Sequence, residues 1–236
     1  MDKPDTSAQA SGTVAVWDPL VRIGHWGLVA AFFTAYIAGD DAQTVHVWAG
    51  YTVAAIVVWR VVWGVVGSRH ARFTDFVRGP GAAWAYLRGM MSGRARRHLG
   101  HNPAGGLMIL ALIASLAGTT LTGMTLYAVE DGRGPLAGLV ASSVPVSGDA
   151  PMSPLGHGEV DEDEDARLAG ARDDEEDEHD EGGGELLEGL HKFFVYLTLG
   201  LVGVHVLGVL ASSLAHAENL VRAMITGRKR RDDTRE

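Results

Sequence analysis

Apolar residues are gathered into four long runs along this chain, separated by polar connections. The runs extend over residues 20–38, 45–66, 107–129 and 190–214. Each is close to the length of about 20 residues with which a helix crosses the hydrocarbon core of a bilayer. The third run is the clearest, because it carries no charged residue over its 23 positions. The pattern predicts an all-α protein, built as a four-helix transmembrane bundle.

Polar segments divide the chain around these helices. Residues 1–19 contain no apolar core followed by a small-residue cleavage site, so we expect a retained, flexible N-terminal tail. Residues 20–129 contain helices one to three and the basic connection 67–104, in which residues 81–91 have the spacing of an amphipathic helix on the membrane surface. Residues 188–214 form helix four, and residues 215–236 form a basic tail.

A long acidic segment, residues 130–187, separates helices three and four. It is rich in Gly, Pro and Ser at first, and residues 159–181 then hold 14 carboxylates. A charge run this dense cannot bury surface, so we expect it to be disordered or solvated. Three roles are open for it, namely steering a basic partner, adapting the surface to high salt, or none beyond a tolerated insertion.

The loops also predict the orientation of the helices. The connection 67–104 has seven arginines and one acid, and the C-terminal tail has six basic residues, whereas the turn after helix one has no basic residue. Because basic loops stay on the cytoplasmic side, we expect both termini in the cytoplasm and the acidic segment outside.

Composition narrows the chemistry that the chain can support. The 236 residues carry a net charge of −9 and include no cysteine. Without cysteine the chain cannot form disulfides, thiolate-ligated iron–sulfur clusters or covalent c-type haem. A redox cofactor would have to be held by histidine, methionine or carboxylate.

Two histidines lie inside the fourth apolar run. His191 and His205 are 14 residues apart, which places them on one face of a helix and separates them by about 21 Å along its axis. An imidazole in hydrocarbon needs a partner and is by default a functional candidate. Two histidines at this spacing indicate two stacked metal centres.

Histidines in the first two helices match these two levels. His25 lies near the cytoplasmic start of helix one, and His46 lies at the outer start of helix two. The depths predict that His25 faces His205 at the inner level and that His46 faces His191 at the outer level. Two opposed imidazoles suit a haem, whose porphyrin already supplies four nitrogens. Zinc or copper fits less well, because such sites need three or four convergent ligands.

Glycines near the histidines fit either of two roles. A backbone without Cβ lets a porphyrin approach closely, but small residues also serve helix packing. The glycines are Gly24, Gly27, Gly200, Gly203 and Gly208.

Four motifs resemble a known family. They are VWDPLVRIGHW at residues 16–26, HVWAGY at 46–51, GHNPAGG at 100–106 and HAENLVRAMITGRK at 216–229. Together they resemble the bacterial cytochrome b561 family, which includes the b-type cytochrome subunits of membrane-bound nickel–iron hydrogenases. The resemblance covers nearly the whole chain except the N-terminal tail and the acidic segment.

The resemblance implies a cofactor, a location and partners. In that family a four-helix bundle in the bacterial cytoplasmic (inner) membrane carries two haem b groups and exchanges electrons between quinone and a redox partner outside the membrane. The family's haem ligands fall on His25, His46, His191 and His205. The expected partners are the lipid membrane, quinone and a periplasmic redox protein, such as a c-type cytochrome or a dehydrogenase or hydrogenase subunit, and no nucleic acid.

Two arginines are candidates for binding the anionic haem propionates. Arg22 and Arg60 both lie toward the predicted inner face, within reach of the rim of the inner haem. The alternative is that each arginine extends to the lipid headgroups, as basic residues near helix ends commonly do.

His101 and Asn102 are candidates for binding quinone. They lie at the predicted cytoplasmic start of helix three, close in depth to His205, and their side chains can hydrogen-bond quinone carbonyls. The alternative is structural, because Asn102 followed by Pro103 is a favourable way to begin a helix.

Three classes of function remain open at this point. The favoured one is a di-haem b-type cytochrome that transfers electrons between the quinone pool and a periplasmic partner. Whether such a chain acts as the subunit of a quinone oxidoreductase is open. The second is a self-contained oxidoreductase that uses superoxide or ferric ion at the outer face. The third is a haem-free transporter in which the histidines relay protons.

Overall fold

The computed structural model describes residues 12–39, 41–68, 71–94, 98, 100–143 and 162–230, the stretch 162–182 as helix backbone only. The described part is mostly helical. In chain order its elements are β1 (Thr13–Ala15), α1 (Pro19–Ala38), α2 (Gln43–Val66), α3 (Phe73–Phe76), α4 (Pro80–Met91), α5 (Pro103–Glu130), α6 (Ala137–Ser143), α7 (Glu162–Ala215), α8 (Leu220–Thr226) and β2 (Arg228–Arg230).

Four of these helices are long and apolar enough to cross a membrane. They are α1, α2, α5 and the part Gly183–Ala215 of α7. Many of their large apolar side chains point outward, as Ile37 and Leu214 do with 79% and 83% of their surface exposed. Outward-facing apolar surface on this scale is typical of helices that contact lipid. The prediction of a helical protein with four candidate membrane helices is therefore confirmed.

The chain divides into two compact units, which are described separately. One unit consists of Met1–Ala117 together with Tyr196–Glu236, and the other is Gly118–Val195. The core of the first unit is an apolar cluster of Phe32, Val53, Val57 and Leu116 from α1, α2 and α5. Because α1 and α2 are joined by a turn of only a few residues, they pack against each other as antiparallel neighbours.

Asp18 explains how the first two helices are joined at their polar end. Its Oδ1 accepts a hydrogen bond from the backbone N–H of Val21 at 2.8 Å, which caps α1, and Pro19 occupies the first helical position. Its Oδ2 accepts hydrogen bonds from the indole Nε1 of Trp63 at 3.1 Å and from the hydroxyl of Ser68. One carboxylate thus connects the start of α1 with the end of α2.

A short two-stranded sheet was not predicted. β1 pairs antiparallel with β2, with Val14 opposite Lys229, and the backbone N–H of Val16 donates to the carbonyl of Gly227 at 2.9 Å. The expectation of a flexible tail over residues 1–19 is therefore wrong from residue 13 onward, and residues 1–11 lie outside the described part. The physical reason is a pairing partner more than 200 residues away, which no local pattern reveals.

The basic connection contains the short helix α3 and the expected amphipathic helix, here α4. Phe73 packs on Gly64, where an added Cβ would lie 2.1 Å from the ring, so glycine is required for this close approach. On α4, Tyr86 is buried, whereas Trp84 is 59% exposed and has the guanidinium of Arg88 above its ring at 5.2 Å. The helix is confirmed, and its position on the membrane surface stays a prediction.

The acidic segment differs from the expectation of disorder. α7 begins at Glu162, well before the predicted start of helix four at residue 188, so most of the carboxylate-rich tract is helical. Glu, Ala, Leu and Arg, which are frequent in this tract, are good helix formers. Residues 144–161 lie outside the described part, as does the side chain of His179.

Candidate functional site

His25 and His205 both belong to the first unit. His25 lies on α1 and His205 on α7, and the two side chains interact electrostatically. The Nδ1 of His25 is buried and has no hydrogen-bond partner among the described residues. A buried imidazole nitrogen without a polar partner is costly, and such a nitrogen is typical of a site that binds a metal or another ligand.

His46 lies in the first turn of α2 and is held by the preceding helix. Its Nδ1 is 2.9 Å from the carbonyl oxygen of Ala35 on α1. Because a carbonyl can only accept, Nδ1 carries the proton, and Nε2 then carries the lone pair. A hydrogen bond of this kind fixes the orientation and tautomer of metal-binding histidines and raises the basicity of the coordinating nitrogen.

His191 has the same arrangement in the second unit. Its Nδ1 is 3.0 Å from the carbonyl oxygen of Thr119 and 3.2 Å from the hydroxyl oxygen of Thr122, both on α5. The ring lies over Gly123, where an added Cβ would be 2.9 Å from Cε1 of the imidazole. α5 therefore provides both the acceptor for His191 and the space for its ring.

These residues fit a haem iron, which takes neutral imidazole nitrogens as axial ligands. His46 and His191 each direct Nδ1 to a backbone carbonyl, so Nε2 is the nitrogen that would coordinate iron. His25 contributes a buried nitrogen without a described partner, beside His205. Among the side chains that the structure describes, no group of three or more His, Cys, Asp or Glu residues is clustered as a metal site.

Both candidate propionate ligands contact protein groups. Arg22 donates a hydrogen bond from Nη2 to the carbonyl of Ile225, at the end of α8. Arg60 donates from Nη1 to the carbonyl of Ala71 at 3.2 Å, and its guanidinium lies 5.1 Å from the centre of the Phe73 ring. These contacts hold the two arginines in place, and binding to propionates stays a prediction for both.

Asn102 and His101 have structural contacts at the start of α5. The side-chain Oδ1 of Asn102 accepts a hydrogen bond from the backbone N–H of Gly105 at 2.7 Å, so the capping role is confirmed. The His101 ring lies between two aromatic rings, 4.4 Å from Trp17 and 4.5 Å from Phe76 between centroids. Quinone binding by either residue stays a prediction.

Two of the five glycines serve helix packing, and a contact with haem stays a prediction for the other three. Gly24 packs under Trp59, whose ring would be 2.6 Å from an added Cβ, and Gly27 packs near Ile56. These two glycines serve the contact between α1 and α2. An added Cβ would meet nothing within 4 Å at the other three of these glycines, which lie on α7; they are Gly200, Gly203 and Gly208.

Sequence reasoning missed several residues that support the site. Lys229 is 5% exposed, and its Nζ lies 3.5 Å and 3.4 Å from the carbonyl oxygens of His98 and Gly100, just before His101. Thr122, which contacts His191, was not singled out either. A threonine in an apolar helix is a weak signal, because its hydroxyl usually bonds to its own helix, as Thr122 also does with Gly118.

Comparison with known proteins shows the family of this chain. The profile of the family described as prokaryotic cytochrome b561 matches residues 16–227. A probable Ni/Fe-hydrogenase B-type cytochrome subunit of Azotobacter vinelandii is 28% identical over 150 residues, covering 51% of this chain and 62% of the relative. The protein of the same description from Azotobacter chroococcum mcd 1 is 28% identical over 151 residues, with the same coverage.

The match spans 62% of the length of these curated relatives. No solved structure matches the chain. The family match, by contrast, includes all four histidines and all four candidate membrane helices. The chain therefore belongs to the prokaryotic cytochrome b561 family.

Proposed function

We propose that this chain is a membrane-bound b-type cytochrome with two haems, which transfers electrons between the quinone pool and a redox partner at the outer face of the bacterial cytoplasmic membrane. The observation that carries the proposal is the hydrogen bonding and burial of the imidazole nitrogens in a chain of this family. His46 and His191 each have Nδ1 at a backbone carbonyl, as metal-binding histidines commonly do, and His25 has a buried Nδ1 with no hydrogen-bond partner among the described residues.

In this proposal His25 and His205 hold the inner haem, and His46 and His191 hold the outer haem. A bound haem b supplies a one-electron iron couple. The chain's own part is to fix the imidazoles and to keep water away from them. The carbonyls of Ala35 and Thr119 orient two of the rings by hydrogen bonds, and two histidine ligands at each iron leave no position for oxygen.

The apolar core between the helices supports the electron-transfer role. Phe32, Val53, Val57 and Leu116 are each less than 9% exposed and form one cluster in the first unit. A dry, closely packed surrounding keeps the dielectric low, and it prevents solvent reorganisation from slowing electron transfer. No step requires a bond to be made or broken on a protein side chain.

The partner is inferred from chemistry and from the relatives. The relatives' description, a probable Ni/Fe-hydrogenase cytochrome subunit, supports a dehydrogenase or hydrogenase subunit as the protein partner. The basic connection and tail support an orientation with both termini in the cytoplasm. The acidic tract, residues 159–181, then lies on the outer side, where it would attract a basic redox protein.

Spectroscopy of the purified full-length protein tests this proposal. We expect the reduced-minus-oxidised spectrum to show b haem and the pyridine haemochrome assay to give two haems per chain. His216 serves as the matched control, because it hydrogen-bonds Tyr86 at 3.3 Å and is not one of the four ligands. His216→Ala should retain both haems. A protein that contains no b haem would overturn the proposal.

A further inference from the structure

A hydrogen bond between two hydroxyls lies inside the membrane part of the first unit. The Ser115 Oγ on α5 and the Thr198 Oγ1 on α7 are 2.7 Å apart. Thr198 is 1% exposed and is the most completely buried large side chain described, and Ser115 is 2% exposed. Their neighbours in sequence are apolar: Leu116 belongs to the apolar cluster, and Leu199 packs against it.

The position of Thr198 on α7 relates it to both histidines of that helix. Thr198 is seven residues from His191 and seven residues from His205. Seven residues make about two helical turns, so the three side chains lie along one stripe of α7. Thr198, and with it the hydrogen bond to Ser115, therefore lies midway between the two histidines on the same face of α7.

On α5, Ser115 likewise shares a face of the helix with the residues that contact a histidine. Ser115 precedes Thr119 by four residues and Thr122 by seven, so all three lie on one face of α5. Thr119 and Thr122 are the residues that contact Nδ1 of His191. Within the second unit, α5 and α7 therefore also meet through polar side chains, those of Thr122 and His191.

We propose that Ser115 and Thr198 are positioning residues, whose hydrogen bond fixes the rotation and register of α7 on α5 within the first unit so that His205 holds its haem. This inference rests on the proposed function. Apolar contacts between helices in lipid have little direction, and Gly200 and Gly203 leave the neighbouring surface of α7 open. A hydrogen bond between helices does have direction, and a single buried polar contact can set register.

Thr198→Val in the full-length protein tests the proposal, because valine has the shape of threonine without its hydroxyl. We expect haem loss to apomyoglobin to become roughly tenfold faster, within the range found when residues that orient a metal ligand are changed. We also expect the low-spin EPR signal, which reports the angle between the two imidazole planes, to change for at least one haem. Thr198→Ser keeps the hydroxyl and should restore both readouts.

Thr52→Val is the matched control. Thr52 is exposed on α2, and its hydroxyl donates a hydrogen bond to the carbonyl of Trp48 in its own helix at 2.9 Å. The control should leave haem loss and the EPR signal unchanged. Ser115→Ala removes the other side of the bond and is measured in the same way, so the inference stays testable even where Thr198→Val does not accumulate in the membrane.

Different results would contradict the positioning role of Ser115 and Thr198 and the proposed function. If Thr198→Val or Ser115→Ala lowers the thermal stability but leaves haem loss and the EPR signal as in the unchanged protein, the pair only stabilises the helices and the inference is wrong. The inference is equally wrong if none of these quantities changes. If the unchanged protein contains no haem, the proposed function has failed instead.

Discussion

The Nδ1 of His46 lies 2.9 Å from the carbonyl oxygen of Ala35, so the first helix of the protein orients a histidine of the second. His191 is oriented in the same way by Thr119, although it lies on a different pair of helices. In both cases a backbone carbonyl fixes the tautomer, and a carbonyl cannot be removed by mutation. The space around the rings can be changed, however, and this gives a first prediction.

Gly123→Ala should disturb His191. The added methyl group would lie 2.9 Å from Cε1 of the ring, so the imidazole must shift. We expect the outer haem to be retained less firmly, by about tenfold, because its ligand leaves the acceptor on Thr119. Gly189→Ala is the control, since an added Cβ there meets nothing within 4 Å. Equal haem retention in the two variants would contradict the assignment of His191.

Arg60→Gln should lower the midpoint potential of the inner haem. A positive charge near the haem favours the reduced iron, so its removal favours the oxidised iron by on the order of 50 mV, about tenfold in the equilibrium constant. A redox titration measures this shift. Arg88→Gln is the control, because Arg88 lies on α4 above Trp84. An unchanged potential in Arg60→Gln would show that Arg60 serves only its contacts with Ala71 and Phe73.

Asp18 should make stability depend on acid pH. Partial burial raises the pKa of its carboxyl. Hydrogen bonds from Ser68, Val21, Trp63 and Leu20 together lower this pKa by more, so the net pKa is below the ordinary value of 3.8. A depressed carboxyl pKa stabilises the fold above the ordinary value, and this contribution is lost as the pH falls through the folded-state pKa.

Thermal unfolding in detergent at a series of pH values tests this effect. Asp18→Asn keeps a side chain that can cap α1, but it removes the charge. We expect the variant to be less stable at neutral pH and to lose less stability than the unchanged protein as the pH is lowered below 4. Parallel pH profiles for the two proteins would exclude Asp18 as the group responsible.

Deleting residues 159–181 should weaken electrostatic attraction of a basic partner. Clustered carboxylates raise the association rate of cationic proteins by about tenfold or more at low salt. We therefore expect the deletion to slow the reduction of a basic c-type cytochrome at low ionic strength and to flatten its dependence on salt. Deletion of residues 144–158, which include only one acid, is the control. The steering role is wrong if both deletions leave the salt dependence intact.

The membrane helices could be predicted because their signal is local. An apolar run such as residues 107–129 needs no information from the rest of the chain, and α5 extends it only to the capped start at Pro103 and to Glu130. The contacts of Asp18 could not be predicted, since Trp63 and Ser68 lie 45 and 50 residues away. The pairing of Val14 with Lys229 could not be predicted either, because the two residues lie even further apart along the chain.

The candidate ligands were predictable for a related reason. A histidine in an apolar run is conspicuous, and the spacing of His191 and His205 is a property of the helix alone. Their supporting contacts were not predictable, because Thr119 supplies a backbone carbonyl and Gly123 supplies only space. From the sequence, Gly24 and Gly27 could contact either a neighbouring helix or a haem. The packing of Trp59 on Gly24 and of Ile56 near Gly27 shows that both glycines contact a neighbouring helix.

The haem content of the unchanged protein and of His205→Ala tests the central claim most directly. A dithionite-reduced minus oxidised spectrum, combined with a pyridine haemochrome assay, counts the b haems per chain. The account predicts two haems in the unchanged protein and one in His205→Ala, with His216→Ala retaining two. A protein without b haem, or a His205→Ala variant that keeps both haems, would contradict it.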